Sequence, residues 1–412
     1  MNMRTDFLSR YWRPAVAVLL IAALSYILFF HNLTTLLPGY SAREVATYKA
    51  SSSLQVILDH PFNAPYKLLV LALQKAGVHD WAATRYVAAS FAVMSSILFF
   101  VVVRFWFSYR TAIIGTILFA SSSGMLHFAR FGSSLILQMC ILALLACAIW
   151  WRAGKLSRTL VGFISVAVFA LLWYIPGMIW FELLLVGIKH KTLLRAWQQS
   201  TILQRLLAGF LFLLIIAPLV RNLVGSPQNL LIFAGLPTHF ASFAQTGQNI
   251  LDALLLVGVH SNGQAELWLA HAPLLNVTEL VLLGLGVFVF IRDVALTRRI
   301  FVFAGVGISL LLIGLNGAGN TGNVWGSQFA ATGPVNVSML VPLLYLLIAG
   351  GMFELIRQWF RVFPRNPIAR AAGVGFITLL VGFSVVYHYR AYFVAWPNNP
   401  ATKKTFSLQQ PQ

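Results

Sequence analysis

The chain has 412 residues, of which 59% are hydrophobic and only 9% charged, with a formal net charge of +19. So apolar a composition excludes an ordinary soluble enzyme and points to a polytopic, all-α membrane protein. The positive charge does not point to nucleic acid. It is spread singly over short segments between apolar runs, which is the pattern of topology signals and of attraction to anionic lipid headgroups.

Apolar runs of about 15 to 24 residues recur along the whole length, near the ~20 that a bilayer core requires. They predict eleven spans, at 14–31, 82–103, 111–126, 133–150, 159–175, 177–188, 206–220, 274–291, 300–315, 339–356 and 371–388. The first run is too long for a removable signal peptide and lacks a small-residue cleavage pattern, so it is read as a span. With the N-terminus cytoplasmic, nineteen Lys and Arg residues fall inside, among them Arg4, Arg10, Arg13, Lys155, Lys189, Arg298 and Arg357, against ten outside. That asymmetry sets the orientation. Residues 1–395 read as one transmembrane domain with long external segments at 32–81 and 221–273, a Gly/Asn-rich external loop at 316–323, and an external tail at 396–412. Cys140 and Cys147 share the fourth span, roughly 10 Å apart along one helix, too far to bridge, and read as packing thiols.

Eight of the nine histidines, all but His190, and six of the ten carboxylates (Glu44, Asp59, Asp80, Asp252, Glu266 and Glu279) fall outside by this topology. The first external segment carries the most information. Ser41-Ala-Arg-Glu44-Val-Ala-Thr-Tyr48 opens a helical stretch running towards Leu58. Asp59-His-Pro-Phe-Asn-Ala-Pro65-Tyr-Lys67 breaks it, and a second short apolar stretch leads to His79-Asp80-Trp-Ala-Ala-Thr-Arg85. Two helices lying along the outer membrane surface fit this pattern. Ser41 and Glu44 also have capping-box spacing, in which the Glu side chain reaches back to the helix start.

These elements resemble the GT-C superfamily of integral-membrane glycosyltransferases, which includes protein O-mannosyltransferases and aminoarabinose transferases. The resemblance rests on Arg43-Glu44 opening a surface helix, on His60-Pro61 through Pro65-Tyr66, on Trp81 with Arg85, and on Ala129-Arg130-Phe-Gly-Ser133 at the next external turn. Three departures accompany it. Arg43 stands where the family has the first Asp of its acidic pair, Ser133 and Ser134 stand where an acid follows the Arg motif, and Asn336-Val-Ser-Met339 replaces an Arg-bearing segment ahead of the tenth span.

The resemblance implies transfer of a sugar from a polyprenyl-phosphate carrier to a hydroxyl of a lipid, glycan or protein acceptor, with inversion, at the external face of the plasma membrane. A carboxylate must take the hydroxyl proton and cations must stabilise the departing phosphate. Glu44, the only acid of the opening motif, is the expected base. Arg85, Arg130 and Lys67 are expected at the phosphate, with Arg43, His60 and Tyr66 around the substrate. Arginine suits phosphate because its planar fork binds two oxygens at once. Glu182, five residues past the Pro176-Gly177 break, is an intramembrane acid and hence a further substrate-site candidate. Asp59-His60 could hold a divalent cation, but an adjacent pair falls short of the three or four ligands a metal needs, and Asp59 fits a turn cap. The triplets at Asn32, Asn276 and Asn336 match the glycosylation pattern but abut spans and are read as chance.

Two other classes compete. A GT-C-like scaffold that has lost its chemistry and binds a lipid or partner would explain the departures. A transporter or flippase would usually show repeat symmetry and polar groups at interrupted midplane helices, whereas the polar mass here lies on one face.

Overall fold

The structure is a computed structural model that describes residues 16, 19–78, 80–153, 158–238, 240–261, 265–316 and 337–409. Arg4, Arg10, Arg13, His79, Lys155, His239, residues 317–323 and Asn336 lie outside the described residues. The described chain is helical, and its single bridge pairs Tyr40 with Leu408.

Each predicted span coincides with a helix or with one bent helix pair. The first is α1 (Leu19–Phe30), 12 residues long, ending in a π-turn at Tyr26–Phe30. Next come α2 (Ala42–Lys49), α3 (Leu54–Asp59) and α4 (Ala64–Lys75), then the 25-residue α5 (Ala82–Trp106). The third span is α6 (Tyr109–Ser121) followed by α7 (Ser123–Arg130), bent by 59°. A 3₁₀ segment, Ser134–Cys140, runs into α8 (Ile141–Ala153), and α9 (Arg158–Leu172), α10 (Met178–Gln199) and α11 (Ile202–Gly225) follow. After α12 (Pro227–Phe233) and α13 (Phe243–Gly258) come α14 (Val277–Arg292), α15 (Leu296–Asn316), α16 (Leu340–Val362) and α17 (Pro367–Tyr389). A π-turn at Arg390–Ala395 leads to the short α18 (Trp396–Asn398) and α19 (Pro400–Thr405). Among the described residues, six helical runs are long and apolar enough to cross a membrane alone, seven with the α6–α7 pair, while α1 and α9 are shorter apolar helices.

Serines explain two departures from the predicted elements. The stretch from Ser41 towards Leu58 is two helices, because Ser53 takes an extended backbone and caps a new one by accepting from the Val56 N–H. The α6–α7 bend falls at Ser122, which is extended in the same way and caps α7 through the Met125 N–H. In both places a hydroxyl offers the backbone an alternative to the helical ladder. The first external segment therefore holds three helices. The segment at 221–273 also holds helices, of which α13 buries Ala253 and Leu256 and packs along α15.

The core centres on α16, buried continuously from Leu340 to Gly351. Beside it, α14 approaches so closely that a Cβ on Gly286 would meet the Leu347 carbonyl at 1.9 Å, and one on Gly351 the Leu282 carbonyl at 2.0 Å. Small residues permit such backbone contact where lipid supplies no hydrophobic drive between helices. By contrast, α11 presents Leu203, Leu206, Phe210, Leu213 and Leu214 to the outside. In water that face would aggregate, whereas in lipid it is ordinary.

Polar contacts segregate to the two ends of the bundle. One end joins the starts of α5, α14 and α16 to the ends of α7 and α17. There Asn276, Glu279, Tyr345, Ser384, His388 and Ser123 form a buried network, with Glu279 accepting from Tyr345 (2.9 Å) and Ser384 (2.8 Å) and His388 Nε2 2.8 Å away. Asn276, 5% exposed and capping α14, is closed to any modifying enzyme. The other end carries Arg357 between Asp293 and Glu354, at 2.7 Å to each.

Candidate functional site

The first-named end holds most of the residues that the sequence singles out. Ser41 is extended and caps α2, and the capping box is complete: Glu44 N–H donates to Ser41 Oγ (3.3 Å) and Ser41 N–H to Glu44 Oε2 (2.9 Å). The same carboxylate takes two hydrogen bonds from Arg85, Nε to Oε1 at 2.7 Å and Nη2 to Oε2 at 2.9 Å. A fourth comes from the Gly132 N–H, 2.9 Å from Oε1. Both oxygens are thus filled, and Glu44 is fully buried.

Arg85 is equally committed. It sits in the first turn of α5, where a membrane-interface arginine would normally reach for water, yet it is 1% exposed and turned inward. Its remaining donors go to the carbonyls of Gly39 (2.8 Å) and Leu33 (3.4 Å), and its guanidinium stacks over Tyr40 at 4.3 Å. Glycine at 132 is dictated by this packing, since a Cβ there would meet Thr84 Oγ1 at 2.2 Å and Glu44 Oε1 at 3.0 Å.

The expected base and phosphate cation are therefore a closed pair that ties α2, α5 and the turn after α7 together. Every lone pair that would receive a proton is already occupied. The remaining candidates differ in their surroundings.

Arg43 forms an ion pair with Glu266 at 3.4 Å, with side-chain exposures of 12% and 18%. Burial raises the Glu266 carboxyl above its usual range, opposed by Arg43 and by a hydrogen bond from Ser41. Arg130, at the end of α7, donates to the carbonyls of Leu28 (3.1 Å) and Asn32 (3.0 Å) and lies 4.9 Å from the Phe393 ring. It is near enough to Arg85 for the two charges to oppose one another, its Nε has no hydrogen-bond partner, and no carboxylate among the described residues pairs with it. Tyr66 closes the cluster from behind, its hydroxyl donating to the Thr84 carbonyl at 2.5 Å.

Lys67, His60 and Glu182 stand apart. Lys67, 2% exposed, donates from Nζ to the His60 carbonyl at 2.6 Å, and burial lowers its ammonium to about 8. His60 itself is exposed, at the C-terminus of α3. That turn is held by Lys67 and by the Asn63 N–H on Tyr174, while the Asp59 side chain merely accepts from Gln55, so Asp59 does not cap it. Glu182 sits elsewhere, accepting from Trp173 Nε1 at 2.7 Å with its other oxygen unpartnered. Among the described residues no three His, Cys, Asp or Glu side chains converge as a metal site would require.

Three parts of the cluster escaped sequence reasoning: Glu266, the Gly132 N–H, and the chain's tail. Tyr40 and Leu408 exchange backbone hydrogen bonds at 2.8 and 3.2 Å, and Phe406, fully buried, packs on Phe131 and Trp396. The tail thereby packs beside Gly39, whose carbonyl accepts from Arg85. Only Glu266 left a signal, because an arginine where an acid is expected calls for a partner acid elsewhere. At the position where an acid is absent, Ser133 caps the 3₁₀ turn, and Ser338 bridges to Leu135 and Gln138 at 2.9 Å each.

No protein-family model and no curated protein matches the sequence. Among solved structures, ArnT from Cupriavidus metallidurans in the apo state superposes with a TM-score of 0.60 at 13% identity, covering 95% of this chain and 78% of that one. The chain has a GT-C-like fold. A second structure, of the same ArnT bound to undecaprenyl phosphate, superposes with a TM-score of 0.53 at 13% identity, covering 94% and 76%. A multi-pass, all-helical membrane protein built on this scaffold agrees with the expectation from the Arg43-to-Arg85 and Arg130 motifs.

Proposed function

We propose that the chain is a membrane glycosyltransferase that moves a sugar from a polyprenyl-phosphate carrier to an acceptor hydroxyl at the external face. What carries this reading is the likeness over nearly the whole chain to a fold that has been crystallised with undecaprenyl phosphate. In a single inverting displacement the acceptor oxygen bonds to the anomeric carbon as the bond to the carrier phosphate breaks. The hydroxyl proton passes to a carboxylate, and the lipid leaves as its phosphate.

In this reading Glu44 is a strut and Glu266 the base. A base needs an unoccupied lone pair that a hydroxyl can approach. Glu266 keeps 18% of its side chain exposed and has its proton affinity raised by burial, whereas Glu44 offers no free position. Arg130, which no carboxylate neutralises among the described residues, is the cation for the leaving phosphate. The test is release of polyprenyl phosphate by purified protein from a panel of undecaprenyl-phosphate sugars. Glu266→Gln abolishes release while the protein stays folded, and undiminished turnover in that variant removes Glu266 as base.

A second reading is favoured by the filled Glu44 site: a GT-C-like scaffold without transfer chemistry that binds the lipid alone. It requires that the wild type retain labelled undecaprenyl phosphate yet release none from any donor sugar.

A further inference from the structure

Towards the end of the bundle opposite Glu44, a largely apolar cavity of about 250 Å³ lies among α8, α9, α10 and α11. Here α11 packs along α9 and α10 along α15, while α10 and α11 scarcely touch, which leaves room between them. Two helix faces form the walls. Ser165, Val166 and Phe169 recur at helical spacing on α9, as do Leu185, Lys189 and Leu193 on α10. Both faces continue outward beyond the cavity to a single contact. On the α9 side the next turn brings Trp173, whose N–H donates to the Phe169 carbonyl at 3.3 Å. On the α10 side it brings Glu182, three residues before Leu185, and the Trp173 indole donates to Glu182 Oε2 at 2.7 Å. Phe212 of α11 joins the two levels, since it lines the cavity and its ring lies 5.3 Å from Trp173. Glu182 is 3% exposed, its Oε1 has no hydrogen-bond partner, and no cation pairs with it among the described residues. A buried acceptor left unsatisfied is costly, so this oxygen points to a ligand that completes it.

We propose that α9, α10 and α11 hold a single-chain lipid with a hydroxyl head, its chain in the cavity and its hydroxyl on Glu182 Oε1. Three observations choose that occupant. A mostly apolar groove with one unsatisfied carboxyl oxygen at its end suits a chain with one polar end over a soluble metabolite. A hydroxyl both donates and accepts, so it meets the carboxyl whether or not that group carries its proton, whereas an ammonium suits only the ionised form. From Glu182 to Leu193 the α10 face runs about 16 Å, which fits one extended chain lying along the helix. The site is separate from the Glu44–Arg85 cluster and does not rest on sugar transfer.

Trp151 lines the cavity, its indole fixed to Ser165 Oγ at 2.8 Å, and supplies the assay. Dodecanol brominated at the end of its chain, titrated into the full-length protein in detergent, should quench tryptophan fluorescence at roughly tenfold lower mole fraction than a brominated dodecane without the hydroxyl. Trp151→Phe should remove most of that quenching. Glu182→Leu should erase the preference for the alcohol, whereas Glu182→Gln, whose amide still offers the hydroxyl a partner, should keep it. Val166→Phe, which fills the groove without altering Glu182, should weaken quenching by both chains. Each variant's thermal unfolding is compared with the wild type, and Val166→Phe serves if Glu182→Leu fails to fold. Equal quenching by the two chains in the wild type overturns the proposal, as does a preference that survives Glu182→Leu or quenching unchanged by Val166→Phe. A brominated dodecylammonium that quenches at lower mole fraction than the alcohol overturns the choice of head.

Discussion

Replacing Glu44 with glutamine keeps the side chain's shape and removes its charge. The carboxylate accepts four hydrogen bonds between 2.7 and 2.9 Å, two of them from a guanidinium that is 1% exposed. An amide can accept at only one end, so its NH₂ group would face two donors, and Arg85 would be left charged and buried without its counterion. Breaking one side of a buried pair costs about 3 to 5 kcal/mol. That is a large part of the ~5 to 15 kcal/mol that typically separates folded from unfolded protein. Unfolding of Glu44→Gln, Arg85→Met and the double variant Glu44→Gln/Arg85→Met, followed by tryptophan fluorescence in detergent, measures the effect. The double variant should lose at least about 2 kcal/mol less than the two single effects combined, because it leaves no stranded charge. A Glu44→Gln protein as stable as wild type refutes the strut assignment, and one that is stable but catalytically dead returns Glu44 to the role of base.

Lys67 gives a pH prediction. Its ammonium is lowered from 10.5 to about 8 by burial, so between those values the unfolded chain binds a proton that the folded chain does not. Stability therefore rises with pH across that window, by about 3 kcal/mol from the 2.5-unit difference, and the deficit is fully present below pH 8. Lys67→Met should be more stable than wild type at pH 7 and should flatten the rise; an unchanged pH profile counts against the buried ammonium. Gly132→Ala should cost about 1 to 3 kcal/mol, the usual range for overpacking, because its Cβ would meet Thr84 Oγ1 at 2.2 Å. The loss should shrink when Thr84 is also replaced by alanine, and a loss that persists in full points to another cause.

The GT-C-like scaffold was legible only through the resemblance of the Arg43-to-Arg85 and Arg130 motifs, but the membrane class and the helices at the predicted spans were legible for a physical reason. Bilayer thickness imposes a length on apolar runs, and hydrocarbon forces each to satisfy its own backbone, so these signals are local. The Ser41/Glu44 capping box was legible on the same ground, since its partners lie three residues apart. What sequence spacing could not supply was the company each side chain keeps. Glu44 meets Arg85 across 41 residues and Gly132 across 88, and the tail returns from Leu408 to Tyr40. Those distances are closed only when the helices pack. The packing turned an expected base and an expected phosphate cation into a single filled ion pair, and it brought Glu266 to Arg43, where the motif by itself lacked an acid.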